Sequence, residues 1–266
     1  MIAFVGLTSQ LEGEEMPIHV PGFSGGDRTD IDLPLAQKEL LEAVAATGKP
    51  LVVVLLNGSA LSVNWAEQHA AAILEAWYPG EEGGTAIAET LSGKNNPAGR
   101  LPVTFYASTD QLPPFDDYSM ENRTYRYFKG KPLYGFGYGL SYTHFVYSEM
   151  KLAQTSVKAG EPLSVQVTVR NDGEVAGAEV AELYLARPAA KGNPVLRGMA
   201  RVHLAPGASR TVSFSLTPRD LSAVDEQGKR AVQPGEYSVM IGGAQPSAAE
   251  HATGSFAVTG SEPIPE

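Results

Sequence analysis

The spacing of apolar positions changes character near residue 145. Before it, short apolar runs alternate with helical patterns. Ile2 to Leu7 reads as a buried strand, already running at the first residues, and a polar loop follows from Thr8 to about Leu33. Between Pro34 and Val44 the apolar positions 35, 36, 40, 41, 43 and 44 recur at helical spacing, and Gly48 with Pro50 supplies a stop signal. Leu51 to Leu56 is continuous, β-branched and bounded by Asn57-Gly58, as expected of a strand buried on both faces of a parallel sheet. Ala71 to Trp77 predicts another strand. Glu81 to Leu91 predicts a helix whose first two glutamates suit the positive end of the helix dipole, and Leu101 to Phe105 predicts a further strand. This alternation predicts an α/β layered domain.

Beyond about Phe145 the period becomes two. Leu163 to Val169, Thr211 to Leu216 and Tyr237 to Ile241 alternate strictly, and Asn171-Asp172-Gly173, Pro206-Gly207 and Pro234-Gly235 separate runs of this kind. About seven short strands without helical pattern predict an antiparallel β-sandwich of immunoglobulin or fibronectin type. The expected organisation is an α/β domain over 1–118, an aromatic linker over 119–144, the β-sandwich over 145–260 and a frayed tail over 261–266. Tyr125, Tyr127, Phe128, Tyr134, Phe136, Tyr138 and Tyr142 are expected to pack the joint, with stacking on sugar rings as the alternative.

A length of 266 residues fits two domains, and 43% hydrophobic with 19% charged residues is ordinary globular usage, which excludes disorder for the whole chain. Twenty basic against thirty acidic residues give 20 − 30 = −10, with no run of Lys and Arg, so neither nucleic acid nor an anionic membrane is an expected partner. Cysteine is absent, which removes disulfides, thiolate nucleophiles and cysteine-ligated metals. No apolar run approaches the ~18 residues of a membrane span. Met1 to Leu7 carries neither a basic n-region nor a cleavage site, and a chain beginning inside a strand reads as cut from a longer one. The compartment stays open: a soluble protein in the periplasm, outside the cell or in the cytoplasm fits equally. No zinc-protease, phosphate-loop or dinucleotide motif occurs, so no metal or cofactor is expected.

A catalytic site in an open α/β sheet belongs at the carboxyl ends of the strands. Two loops qualify. The first holds Glu12-Gly13-Glu14-Glu15 and then Gly25-Gly26-Asp27-Arg28-Thr29-Asp30, and the second begins Asn57-Gly58-Ser59. At about 25 residues the first is long for a compact domain, which marks functional or mobile loops. One reading makes one of its glutamates a general acid/base. The other makes the stretch a solvated acidic loop. Asp27-Arg28 either fixes the loop or contacts a ligand. Gly22-Phe23-Ser24-Gly25-Gly26 spells the serine-hydrolase nucleophile elbow, which would make Ser24 an esterase nucleophile, but that motif needs a strand before it and a helix after it. Glycine as loop punctuation explains the same letters.

Three segments resemble glycoside hydrolase family 3: Tyr78-Pro79-Gly80-Glu81-Glu82-Gly83-Gly84-Thr85, then Asn96-Pro97-Ala98-Gly99-Arg100-Leu101-Pro102-Val103-Thr104-Phe105, then Pro132-Leu133-Tyr134-Gly135-Phe136-Gly137-Tyr138-Gly139-Leu140-Ser141-Tyr142-Thr143. Their order and spacing match as well. The resemblance covers essentially the whole chain and implies a three-layer α/β-sandwich domain followed by a fibronectin type III-like domain. It further implies exo-acting release of a terminal β-linked sugar with retention, as in β-glucosidases and β-xylosidases, with aryl glycosides as further substrates. Retention needs two carboxylates about 5–5.5 Å apart. In the family the nucleophile is an aspartate on an N-terminal barrel, which has no counterpart here. The acid/base maps onto Glu14 after Gly13, with Glu12 as runner-up. Asp27 and Arg28 map onto substrate-binding or loop-positioning residues, although Met16 to Ser24 sets them further from the acids than in many members. The isolated chain is therefore expected to be inactive or weakly active on glycosides, to need the missing barrel as partner, and to form a homodimer or aggregate through apolar surface near 8–33. A non-catalytic structural or carbohydrate-binding module and an esterase using Ser24 are the rival readings.

Overall fold

The computed structural model describes residues 1–13, 15–188 and 190–265. The chain divides into two compact units. The first comprises Met1–Asn95, Val103–Asn122 and Gly130–Tyr134, and the second Asn96–Pro102, Arg123–Lys129 and Gly135–Glu266.

In the first unit, β1 (Ile2–Gly6) leads into a loop carrying the two-residue strands β2 (Phe23–Ser24) and β3 (Asp27–Arg28). Then come α1 (Leu35–Ala45), β4 (Val52–Leu56), α2 (Asn64–His69), β5 (Ala72–Glu75) and α3 (Gly83–Leu91). The three longer strands form a parallel sheet in the order β1-β4-β5. Val53 and Val54 are both fully buried, so β4 is covered on both faces, as its unbroken apolar run requires. Leu41 of α1 and Leu33, Leu61 and Val63 of the loops complete this core.

Two expectations are corrected here, and one helix is added. The first strand is not buried throughout: Ile2 and Phe4, on one face of this edge strand, are each 55% exposed, whereas Val5 on the other face is buried. Leu101 to Phe105 joins no sheet. Leu101 and Pro102 belong to the second unit, where the Leu101 N–H donates to the Tyr138 carbonyl, while Phe105 makes only an isolated bridge to Tyr134 in the first. Pro102 in any case has no N–H to give a ladder. The short helix α2 escaped notice because six residues are too few to show a period; its Trp65 and His69 rings stack at 4.5 Å, one turn apart.

The second unit opens with α4 (Thr124–Tyr127) and continues as β6 (Phe145–Leu152), β7 (Ser156–Lys158), β8 (Leu163–Asn171), β9 (Gly177–Ala186), β10 (Val195–Leu204) and β11 (Ser209–Leu216). After α5 (Pro218–Leu221) come β12 (Ala223–Val224), β13 (Arg230–Val232), β14 (Gly235–Gly242), β15 (His251–Thr259) and β16 (Glu262–Pro263). One sheet runs β10-β9-β14-β15-β7, a second β11-β8-β6, and β12-β13-β16 forms a small third. The odd-numbered residues Leu163 to Val169 of β8 share a core with Leu183, Val239 and Phe256, so the period of two resolves into one buried and one solvated face. In the tail, Pro263 pairs with Ala231.

The aromatic stretch does not stay together as one linker. Tyr134 and Trp77 contact Phe105 in the first unit, whereas Tyr125 stacks on Phe136 at 4.5 Å and meets the edge of Tyr184 in the second. Arg100 fixes Asn96–Pro102 to the second unit through Glu179, to which Tyr147 also donates at 2.7 Å. Burial and the Glu179 charge push the Tyr147 phenol up, holding it neutral.

At the carboxyl end of the parallel sheet, Gly6 ends β1 at φ +146°, where an added Cβ would lie 1.9 Å from the Leu56 carbonyl oxygen. The Gln37 side chain bonds both the N–H and the C=O of Gly6 at 2.8 Å, closing the strand end. Gly6→Ala is expected to destabilise the chain by about 1–3 kcal/mol from backbone strain alone, with the clash added, as read by denaturant unfolding; a loss below about 0.5 kcal/mol would contradict this close approach.

Candidate active site

Three loops leave the carboxyl ends of β1, β4 and β5, and their polar side chains form one hydrogen-bonded network. Glu12 and Arg28 come from the first loop, Asn57 and Ser59 from the second, Tyr78 from the third, and Glu75 closes β5 itself. The Ser59 hydroxyl donates to Glu12 Oε1 at 2.7 Å and accepts from Arg28 Nη1 at 2.8 Å. Tyr78 donates its hydroxyl to Glu12 Oε2 at 2.8 Å. Arg28 Nη1 stands 3.9 Å from Glu12 Oε1, an ion pair whose side chains are only 12% and 17% exposed. Arg28 further donates from Nε to the Asp30 carbonyl and from Nη1 to the Ala60 carbonyl. Its Nη2 is buried with no partner among the described residues.

The electrostatics follow from this packing. Burial lowers the Arg28 pKa, while Glu12, Asp30 and Asp32 oppose the shift, so the guanidinium stays charged. Burial and the bond to the Glu12 carboxylate push the Tyr78 phenol up to about 12. One layer inward, Asn57 is fully buried and donates to the Ser59 carbonyl at 2.9 Å and to Glu75 Oε2 at 3.3 Å. Glu75 Oε1 accepts the Trp77 N–H at 3.0 Å, at a residue held in the left-handed region with φ +53°. Burial raises the Glu75 carboxyl to about 7, against these two hydrogen bonds, which favour the ionised form. Gly58 lets the second loop lie against the Tyr78 ring, where a Cβ would approach to 2.6 Å.

Of the residues singled out from the sequence, Glu12 and Arg28 come together. Glu14 lies outside the described residues; Glu15 after it takes the left-handed conformation with φ +51°. Asp27 is exposed and pairs with Ser24 in the β2-β3 ladder. Ser24 is thus on a tight hairpin rather than a strand-to-helix turn, and among the described residues no histidine hydrogen-bonds it. Among the described residues no three His, Asp or Glu side chains gather as a metal site. Ser59 and Tyr78 lay in segments already quoted, but neither was given a role, because only the fold shows that both reach Glu12. Glu75 gave no signal: an acid closing a predicted strand reads as solvated.

Residues 1–142 match the glycosyl hydrolase family 3 C-terminal domain, and residues 179–245 match a fibronectin type III-like domain. The chain belongs to glycoside hydrolase family 3. A xylan 1,4-beta-xylosidase from Xylanibacter ruminicola is 43% identical over 240 residues, covering 89% of this chain and 28% of that protein. A β-glucosidase structure from Erythrobacter marinus superposes with a TM-score of 0.84 at 36% identity, covering 97% of this chain and 34% of the other. A β-glucosidase mutant from Listeria innocua, solved with laminaribiose, gives 0.80 at 30% identity, over 97% of this chain and 36% of the other. The chain therefore spans about a third of the length of these relatives, and it corresponds to their C-terminal part.

The raised Glu75 pKa sets a pH dependence. Between the ordinary value of 4.5 and about 7 the folded chain holds a proton there that the unfolded chain has lost. Stability should therefore fall as pH rises through that window, by at most about 1.4 kcal/mol per pH unit, and level off above it. Thermal melts of Glu75→Gln beside the parent should lack this component. Parallel pH profiles for the two would contradict the assignment.

Proposed function

We propose that this chain supplies the general acid/base of a retaining exo-β-glycosidase that removes terminal β-linked glucose or xylose. In this reading Glu14 protonates the glycosidic oxygen as the bond breaks and then, as carboxylate, takes a proton from the water that releases the sugar. The nucleophilic aspartate belongs to an N-terminal barrel outside these 266 residues. The observation that carries the assignment is the state of Glu12: both its oxygens are engaged, by Ser59 and Arg28 on one side and Tyr78 on the other. A carboxylate so held is an anchor for its loop and a poor proton donor. That leaves its neighbour two residues on to do the chemistry. The unpartnered Arg28 Nη2 and the exposed Asp27 carboxylate remain for sugar hydroxyls.

The acid must be protonated before attack, and two features of a complete site favour that: a nearby like charge on the nucleophile and exclusion of water. Neither is supplied by an isolated loop. Negligible turnover by the chain alone is therefore part of the proposal. The names of the relatives support glucose or xylose as the released sugar, and laminaribiose in the Listeria innocua protein supports a β-linked disaccharide as substrate.

The test supplies the barrel half of a related enzyme in trans and assays aryl glycosides. Turnover should appear only in the mixture. Glu14→Gln should then reduce it about 10²–10⁴-fold toward poor leaving groups, and azide should rescue Glu14→Ala by replacing water at the glycosyl-enzyme. Glu12→Ala should lose activity without azide rescue. Rescue of Glu12→Ala in place of Glu14→Ala would reverse the two roles, and robust turnover by the chain alone would overturn the division of labour.

A further inference from the structure

In a chain with ten more acidic than basic residues, four arginines gather in the second unit. Arg126 comes from α4, Arg187 follows β9, Arg197 lies in β10 and Arg230 begins β13. Arg197 is the extra residue of a β-bulge: Leu196 stands opposite Tyr184 and Gly198 opposite Leu183, with nothing opposite Arg197. A bulge frees one residue from the ladder and re-aims its side chain. Ser222 ties two of the others together, its carbonyl accepting from Arg187 Nη1 and its hydroxyl from Arg230 Nη1 at 3.2 Å.

These cations lie within one another's electrostatic reach. Burial lowers the pKa of both Arg187 and Arg197; the charge of Arg126 adds to this at both, with Arg230 at Arg187 and Arg187 at Arg197. The acid that Arg197 feels is Asp220, whose Oδ2 is already taken by the N–H and hydroxyl of Thr217 in the capping box of α5. The neighbouring phenols are Tyr125 near Arg197, and Tyr127 and Tyr237 near Arg187. The Arg126 guanidinium lies over the Tyr127 ring, 5.3 Å from its centre. Among the described residues none of the four makes an ion pair, and the Nε atoms of Arg126 and Arg197 are buried without a hydrogen-bond partner. The four residues themselves are only half-buried, so solvent reaches the cluster.

We propose that Arg126, Arg187, Arg197 and Arg230 form a binding site for a tetrahedral dianion of the phosphate class, either free or as an ester on a sugar. Guanidinium forks match the oxygens of such groups. Several cations without an ion-pair partner among the described residues, with Asp220 beside Arg197 already engaged, favour a doubly charged ligand over a monocarboxylate. The site lies in the sandwich unit and is independent of the glycosidase reading.

Isothermal titration of the full chain with inorganic phosphate, at ionic strength held constant with chloride, tests it. Glucose 6-phosphate and acetate serve as parallel titrants. Phosphate should bind saturably and acetate should not, and Arg197→Gln or Arg126→Gln should weaken binding roughly tenfold or more. Should Arg197→Gln fail to fold, Arg197→Lys keeps the charge while losing the fork, and should also weaken binding. Tighter binding of glucose 6-phosphate would identify an ester as the source, and equal or weaker binding the free ion. A non-saturating response shared with acetate, or phosphate affinity unchanged in the folded variants, would overturn the proposal.

Discussion

The Glu12 carboxylate is the point at which three loops of the first unit are held together, and the site depends on it more than on any other group. Each loop ends a different parallel strand and has no secondary structure of its own long enough to fix it. One charge, buried to more than four-fifths and matched by Arg28, Ser59 and Tyr78, supplies the fixing that backbone hydrogen bonds supply elsewhere. Charge-assisted hydrogen bonds of this kind are stronger than neutral ones, and removing one partner leaves the others buried and unpaired. The order of a long loop thus rests on a few polar contacts rather than on apolar burial.

The second layer of the same network has the opposite electrostatic character. Glu75 has neutral hydrogen-bond donors, Asn57 and the Trp77 N–H, and among the described residues no cation offsets its burial. Two glutamates in one network therefore differ in environment: one is matched by a guanidinium, the other is held by a backbone amide at a left-handed residue. The second unit repeats the contrast. Arg100 and Glu179 satisfy each other within it, whereas among the described residues the four arginines near β10 form no ion pair, and the acid that Arg197 feels, Asp220, is already engaged by Thr217.

Much of the fold was legible because burial imposes a period. The run Leu51 to Leu56 announced a strand covered on both faces, and the alternation of Leu163 to Val169 announced a sandwich face. What stayed hidden depends on neighbours that a local pattern does not contain. Ile2 and Phe4 are as apolar as the residues of β4, yet they lie on a solvated face of an edge strand. The arginines at 126, 187, 197 and 230 form no cluster in the sequence, and only the pairing of β9 with β10 and the bulge at Arg197 bring them together. At the candidate site the acidic loop was visible from its composition. The role of Glu12 as anchor was not, because it is defined by Ser59 and Tyr78, 47 and 66 residues away.

Amide hydrogen exchange on the parent chain and on Glu12→Gln measures most directly whether the three loops are one unit. Replacing the charge should release protection together in 8–30, around Ser59 and at Trp77 and Tyr78, while the sandwich strands keep theirs. Exchange that changes only beside residue 12, with the second and third loops as protected as before, would contradict the account.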